Sequence, residues 1–286
     1  MNPEIIIILP VHNRRETTRK FLECLIGQTF QHYHLILIDD GCIDGTPEMS
    51  ESLIKNITIL KGNGNLWWAG SLHLAYKHLK ETHRFQDDDI VLIINDDVFI
   101  KPDFLSIAAE LFKQNNGRKI LSQAIAIDKS TGKELPGVFY DNKAISFEPT
   151  KHIDRVNCMS TRGLLLRKSD FTDSGGFHPC ILRHYLSDYE FTNRLISKRN
   201  FIPVMEERFV LEFFPETSGF ENPTNKDKIC NYLSDLFSKK NKSNPIHWIV
   251  FIFLTTQFPY NFKNVLKIIY LNVRQTAVVL KRSIDK

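Results

Sequence analysis

Hydrophobic and polar positions change their period along this chain, and in the first half they do so regularly. Residues 5–9 (IIIIL) form an unbroken apolar run, which predicts a strand buried on both faces. Over 17–28 the apolar residues Phe21, Leu22, Leu25 and Ile26 recur at helical spacing. The same reading predicts strands over 33–38, 57–61 and 90–94, with helices over 46–55 and 71–82 between them. Buried strands separated by helices of this length predict an α/β chain with a mostly parallel sheet joined by crossover helices. The second half is less regular. Strands are expected over 121–127, 138–147 and 163–166, with a loop around 129–133 (KSTGK), and a helix over 187–198. Residues 215–244 are polar and rich in Lys, Asn and Ser, which reads as a linker or boundary. No internal repeat is present.

The tail returns to strong apolarity. Residues 246–258 (IHWIVFIFLTTQF) are too few and too often polar for a span of about 20 residues. Over 262–282 a helical projection gathers Lys263, Lys267, Arg274 and Lys281 into a narrow arc, with Val265, Ile268, Ile269 and Val273 on other faces. That pattern fits an interfacial helix on a membrane, or a helix packed on the body with its lysines in water.

In a parallel sheet, ligands bind at the carboxyl ends of the strands. The segments that follow the predicted strands are Pro10-Val-His-Asn13, Asp39-Asp-Gly-Cys42, Gly62-Asn-Gly-Asn65 and Asn95-Asp-Asp97, all polar or flexible. They are expected to converge on one crevice. Turn and cap chemistry explains Asp44 well, but it explains Asp39 and Asp40 poorly. Two like charges at a strand end repel unless something binds them. Asn95-Asp96-Asp97 repeats the situation at a second strand end, and such carboxylates suit Mg²⁺ or Mn²⁺ sharing phosphate oxygens and water. The glycines of Gly62-Asn-Gly-Asn-Leu-Trp-Trp-Ala-Gly70 lack the spacing of a dinucleotide fingerprint, yet they would let the backbone approach a diphosphate. Of Trp67 and Trp68, one is expected in the core and the other against a sugar or base. The histidines form no metal-ligand grouping.

Composition narrows the picture further. The five cysteines have no paired spacing, against both a zinc site and a disulfide framework and in keeping with a reducing compartment. The start lacks the basic, long apolar pattern of an export signal. The net charge of +4 conceals an asymmetry: from Lys226 onward there are eleven Lys/Arg against three Asp/Glu. A basic tail on an acidic body points to an anionic partner for the tail, such as a membrane surface.

The residues from Ile6 to Thr46 (IIILPVHNRRETTRKFLECLIGQTFQHYHLILIDDGCIDGT) resemble the opening of the family 2 glycosyltransferases, whose fold is called GT-A. Further matches keep the order: Gly64-Asn65-Leu66 with Ala69-Gly70, Ile94-Asn-Asp-Asp-Val98 with Pro102-Asp103, and Gly175-Gly176-Phe177 before Ser187-Asp188-Tyr189-Glu190. The resemblance covers roughly residues 4–210 and implies a GT-A-type, Rossmann-like sheet flanked by helices, with a C-terminal helical extension. It implies a catalytic domain over 1–220, divided into a nucleotide-sugar part (1–115) and an acceptor-side part (116–220), followed by a basic and apolar extension over 221–286.

Site roles follow from the same resemblance. Pro10, Val11, His12, Asn13, Asp39, Asp40, Asn65, Asn95 and Asp96 would form the donor site, and Asp97 would carry a divalent Mn²⁺ or Mg²⁺. Asp188 would be the catalytic carboxylate, with Trp67, Trp68, Arg162 and Gly163 on the acceptor side. Two departures stand out: Asn95 holds the first position of the D-x-D element, and Ser187 holds a position usually occupied by Glu. The implied partners are a nucleoside-diphosphate sugar, a glycan or lipid-linked acceptor and a membrane surface at the tail, with no nucleic acid. The implied location is cytoplasmic, peripheral on the cytoplasmic face of the membrane. A sugar nucleotidyltransferase would need a glycine-rich basic loop after the first strand, and Pro10-Val-His-Asn-Arg-Arg15 has no glycine. A non-catalytic membrane-associated binding protein is the other rival, kept open by Asn95 and Ser187.

Overall fold

The computed structural model describes residues 3–214, 229–239 and 241–284. Its elements run in the order β1 (Ile5–Val11), α1 (Arg15–Ile26), β2 (Tyr33–Asp39), α2 (Thr46–Leu53), β3 (Ile57–Lys61), α3 (Trp67–Glu81), β4 (Ile90–Ile93), β5 (Val98–Ile100) and α4 (Phe104–Gln114). There follow β6 (Ile120–Gln123), β7 (Ile125–Asp128), β8 (Glu134–Leu135), β9 (Val138–Asp141), β10 (Ser146–Pro149), β11 (Leu164–Arg167), α5 (Lys168–Asp173), α6 (Ser187–Arg199), β12 (Ile202–Val204) and β13 (Val210–Phe213). The tail adds α7 (Ile229–Leu236), α8 (Pro245–Thr255) and α9 (Tyr260–Ile284).

A seven-stranded sheet in the order β12-β6-β11-β4-β1-β2-β3 forms the centre. β1, β2, β3 and β4 pair in parallel, whereas β11 runs antiparallel to both β4 and β6. The unbroken apolar run of β1 has a direct cause. Ile5, Ile7 and Leu9 enter the core shared with α1 and α4, and Ile6 and Ile8 enter the core under α3 and α6. With both faces covered, no position of the strand is left for a polar side chain. Register then aligns the strand ends: Val11 lies beside Asp39, and Asp39 beside Lys61. A smaller sheet, β5-β13-β7-β8, stands beside the first, and β9 and β10 form a separate hairpin.

Several expectations need correction. The run 121–127 is two strands in different sheets, since the chain leaves the large sheet at Ala124 and enters the small one as β7. The run 138–147 is a hairpin, β9 turning into β10, because Asp141 Oδ1 accepts the backbone N–H groups of Lys143 and Ala144 and closes a turn. Helix α3 begins at Trp67, four residues before its expected start, because the Asp40 carboxylate accepts the N–H groups at its first turn. The expected linker 215–244 contains α7, while its residues 215–228 lie outside the described residues.

The tail is packed on the body at its root. Asn244 caps α8 by accepting the Ile246 N–H, with Pro245 in the first turn, where its missing N–H costs nothing. Phe251 of α8 is fully buried against Tyr140 and Phe147 of the hairpin. Lys198 of α6 donates to the Leu254 carbonyl, and Asn264 and Lys267 of α9 donate to the carbonyls of Asn142 and Ala144. Beyond that root α9 packs on α7, with Asn272, Thr276 and Val279 half-buried and its other sides in solvent.

Candidate active site

A cavity of about 750 Å³ opens at the carboxyl ends of β1, β2 and β4. From the strand ends come Pro10, Val11, His12, Asp40, Asn95, Asp96 and Asp97, from the start of α3 come Trp67 and Trp68, and from the opposite side come Arg162 and Asp188. Asn13, Asp39, Asn65 and Gly163 are not part of its lining.

Those four have local tasks instead. Asn13, with φ of 51°, accepts the Ile43 N–H and joins the β1 turn to the β2 turn. Asp39 Oδ1 accepts the Cys42 N–H at 2.7 Å. Asn65 Oδ1 accepts the indole N–H of Trp67 at 2.7 Å and so orients a ring that does line the cavity. Gly163 has φ of +80°, and a Cβ there would meet the Ala124 Cβ at 2.8 Å.

The paired carboxylates at the end of β2 do not depend on a ligand to be held. Asp39 closes its own turn, and Asp40 accepts the N–H groups of Leu66 and Trp67 at 2.9 and 3.1 Å, where the positive end of α3 favours its charge. The close approach of two turns also explains the glycines of the 62–65 segment: a Cβ on Gly41 would lie 2.8 Å from the Gly64 Cα.

At the end of β4 the acidic pair divides. Asp96 turns toward α1, accepting the Thr18 hydroxyl at 2.9 Å and lying 3.2 Å from Arg14 Nε. Burial pushes its carboxyl up to about 6, opposed by the Arg14 charge. Asp97 sits 3.7 Å from Arg14 through Oδ2, and its other oxygen, Oδ1, is buried with no hydrogen-bond partner among the described residues. A carboxylate oxygen so placed beside Asn95 suits a hard divalent cation. No group of three or more His, Cys, Asp or Glu side chains placed to hold a metal ion exists among the described residues, so such an ion would take most of its ligands from phosphate and water.

Asp188 stands on the first turn of α6. That helix is pinned by Thr192, which bonds the Met159 carbonyl, and by Asn193, which bonds the Asn157 carbonyl. Arg194 pairs with buried Glu190 at 2.8 Å and donates to the carbonyls of Ser174 and Gly176, tying the Gly175-Gly176 turn to the helix. Glu190 therefore takes the arginine, and Asp188 is left toward the cavity. Burial raises the Asp188 carboxyl to about 6, opposed by the Tyr189 backbone N–H and by the Arg162 charge. Leu186, just before the helix, has φ of 66°, and Trp67 at the start of α3 has φ of 60°. Left-handed backbone at a branched or aromatic residue costs about 1–3 kcal/mol, and both instances line this cavity.

Sequence reasoning passed over several lining residues. Arg14 carries no signal of a site role in the sequence, although it compensates both acids of the β4 end. His184 and Tyr185 lie just before Leu186-Ser187-Asp188, and that proximity is the one sequence signal for them. Lys242, Ser243 and Trp248 come from the supposed linker and from α8, and nothing local in the sequence separates them from surface polar residues. Both tryptophans are half-buried and line the cavity: Trp68 packs on the α3-side core and donates to Thr161 at 2.9 Å, and Trp67 stands edge-on to His184 with Lys239 over its ring.

The family profile described as glycosyl transferase family 2 matches residues 6–170, more than half of the chain. The chain belongs to glycosyl transferase family 2. An "uncharacterized glycosyltransferase" of Haemophilus influenzae is 23% identical over 237 residues, covering 82% of this chain and 76% of its relative. Among solved structures, a mannosyltransferase of Pyrobaculum calidifontis in complex with GDP-Man and Mn²⁺ aligns over 100% of this chain and 74% of its own (TM-score 0.58, 12% identity). TarS 1–349 of S. aureus in complex with UDP-GlcNAc aligns over 90% of this chain and 73% of its own (TM-score 0.56, 15% identity). At these identities the structures establish the fold, a GT-A glycosyltransferase sheet, and the family establishes the class of enzyme, a glycosyltransferase. In this family 2 glycosyltransferase the cavity at the strand ends is the candidate place of transfer.

Proposed function

We propose that this glycosyltransferase moves a sugar from a nucleoside-diphosphate sugar to a hydroxyl of a glycan or lipid-linked acceptor, with inversion, in cell-surface polysaccharide assembly. The observation that carries the proposal is a single cavity lined by Asp40, Asn95 and Asp97 from the strand ends and by Asp188 from α6. The catalytic unit spans residues 1–220 in this reading, and the extension over 221–286 adds a wall through Trp248. The protein works in the cytoplasm, peripheral to the membrane.

The donor's nucleoside lies against Pro10, Val11 and His12, with Asp40 at the base or ribose. Asp97, with Asn95 beside it, holds a Mn²⁺ or Mg²⁺ ion; when bound, that ion supplies neutralising charge for the departing diphosphate. Arg162 lines the same cavity and its guanidinium lies 4.2 Å over the Phe213 ring, which keeps a second cation in place. Asp188 takes the proton of the acceptor hydroxyl as that oxygen forms a bond to the anomeric carbon. The bond from that carbon to the diphosphate oxygen breaks, the electron pair leaves with the nucleoside diphosphate, and the configuration inverts. A carboxyl titrating near 6 is ionised at neutral pH yet basic enough to share a proton in the transition state.

A panel of nucleoside diphosphates and their sugars, read by thermal shift with and without Mn²⁺ or Mg²⁺, tests the donor site. One nucleotide family stabilises the chain more with metal than without it, and Asp97→Ala weakens that metal-dependent binding by roughly tenfold or more. No stabilisation by any nucleotide, or an unchanged metal effect in Asp97→Ala, contradicts the site as drawn. Retention of configuration in the product sinks the single-displacement chemistry.

A further inference from the structure

Helix α9 leaves an apolar face to solvent, and its surroundings say what covers it. Phe262, Leu266, Ile269, Val273 and Leu280 are all exposed, from 40% to 70% in round terms, with Leu266 at 67% and Val273 at 63%. At about 100° per residue these five side chains fall within an arc of roughly 60°, and the stripe runs about 27 Å along the helix. The face toward α8 and the body lies to one side of this stripe, where Asn264 is buried and Val265, Ile268 and Asn272 are half-buried. Lys263, Arg274 and Lys281 lie to the other side, as does Lys267, which is held to the Ala144 carbonyl. Phe258, 77% exposed in the turn before the helix, and Phe253 of α8, 48% exposed, continue the apolar surface toward the body, and both contact or precede Phe262.

We propose that this α8–α9 surface docks on an anionic lipid bilayer, lying in its interface with the apolar stripe down. Charge decides between a bilayer and a second copy of the chain. Helix α9 carries five Lys/Arg and no Asp or Glu, so pairing it with itself brings cations together with no acid to offset them. Anionic headgroups meet the basic shoulder while acyl chains take the stripe. Among the described residues no helix is long and apolar enough to cross a membrane, so the contact is with the surface. The docking element is joined to the site: α8 presents Ile246 and Phe253 to solvent and, on another face, Trp248 to the cavity. Docking therefore holds one wall of the cavity at the lipid surface, where an acceptor carried by lipid is presented.

Co-sedimentation of the full chain with phosphatidylcholine vesicles, with and without 30% phosphatidylglycerol, tests the proposal. The chain binds the anionic vesicles, and 0.5 M NaCl weakens that binding. Leu266→Glu/Val273→Glu lowers partitioning by roughly tenfold or more, and so does Arg274→Gln/Lys281→Gln, a pair of exposed substitutions that do not disturb packing. Both variants keep wild-type nucleotide affinity and thermal midpoint, which separates this result from the fate of the transferase chemistry. Failure of the wild-type chain to bind anionic vesicles overturns the proposal. So does wild-type binding by both variants, or a concentration-dependent dimer that Leu266→Glu/Val273→Glu abolishes.

Discussion

Asp188 illustrates how a neighbour decides the role of a residue. On the helix surface it shares a turn with Glu190, and Arg194 lies within reach of that turn. The arginine takes Glu190, which is 2% exposed, and leaves Asp188 to burial, which raises its carboxyl, opposed by nearby backbone N–H groups, that of Tyr189 first, and by the Arg162 charge. Its folded carboxyl titrates at about 6 against an ordinary 3.8, so the folded state holds the extra proton between those values. Above pH 6 the buried charge costs stability, and that cost disappears as pH falls through the window from about 6 to 4. Asp188→Asn is therefore expected to raise the thermal midpoint at pH 7.5, by an amount on the order of 1–3 kcal/mol in free energy. The gain shrinks at pH 4.5. The role proposed for Asp188 predicts that kcat/KM of the wild-type enzyme falls below pH 6 as its carboxylate becomes protonated. A midpoint for Asp188→Asn below wild type at pH 7.5, or a flat rate profile down to pH 5, contradicts the assignment.

Elements show what was legible in the sequence and what was not. Periodicity located β1, β2, β4 and the edge strand β3 with the helices between them, because β1, β2 and β4 are buried on both faces and β3 packs half-buried beside them. It failed where tertiary contact overrides local pattern. The run 121–127 (LSQAIAI) reads as one continuous strand whether or not the chain changes sheets at Ala124, and its pattern of apolar and polar residues does not announce the change. The site was legible in the same uneven way. Acids at strand ends are visible from spacing, but Arg14, Tyr185 and Trp248 reach the cavity only through the packing of α1, α6 and α8. The charge argument for Asp39 and Asp40 overlooked the backbone N–H groups that bind them. Helix α6 offers a test at this scale. Arg194→Ala leaves the buried Glu190 carboxylate with only His178 near it and frees the carbonyls of Ser174 and Gly176, an expected loss of about 3–5 kcal/mol in urea unfolding. Glu190→Gln/Arg194→Ala, which leaves no buried charge, loses less. A single variant as stable as wild type contradicts the clamp.

At the scale of the whole molecule, one cavity is assembled from segments as far apart as Pro10 and Trp248. The parallel strands β1, β2 and β4 place the donor-side groups at one edge, the antiparallel β11 brings Arg162 beside them, and α6 faces them with Asp188. The tail completes a wall and carries the apolar stripe of α9 outward. Central to the proposed function is the division of labour between donor-side acids and a base on α6. The most direct measurement is sugar transfer by Asp188→Asn alongside its affinity for the donor nucleotide. Transfer falls by about 10²–10⁴-fold while nucleotide affinity stays within a factor of about two of wild type. An Asp188→Asn enzyme that transfers at the wild-type rate, or that loses donor binding together with turnover, contradicts the role given to Asp188.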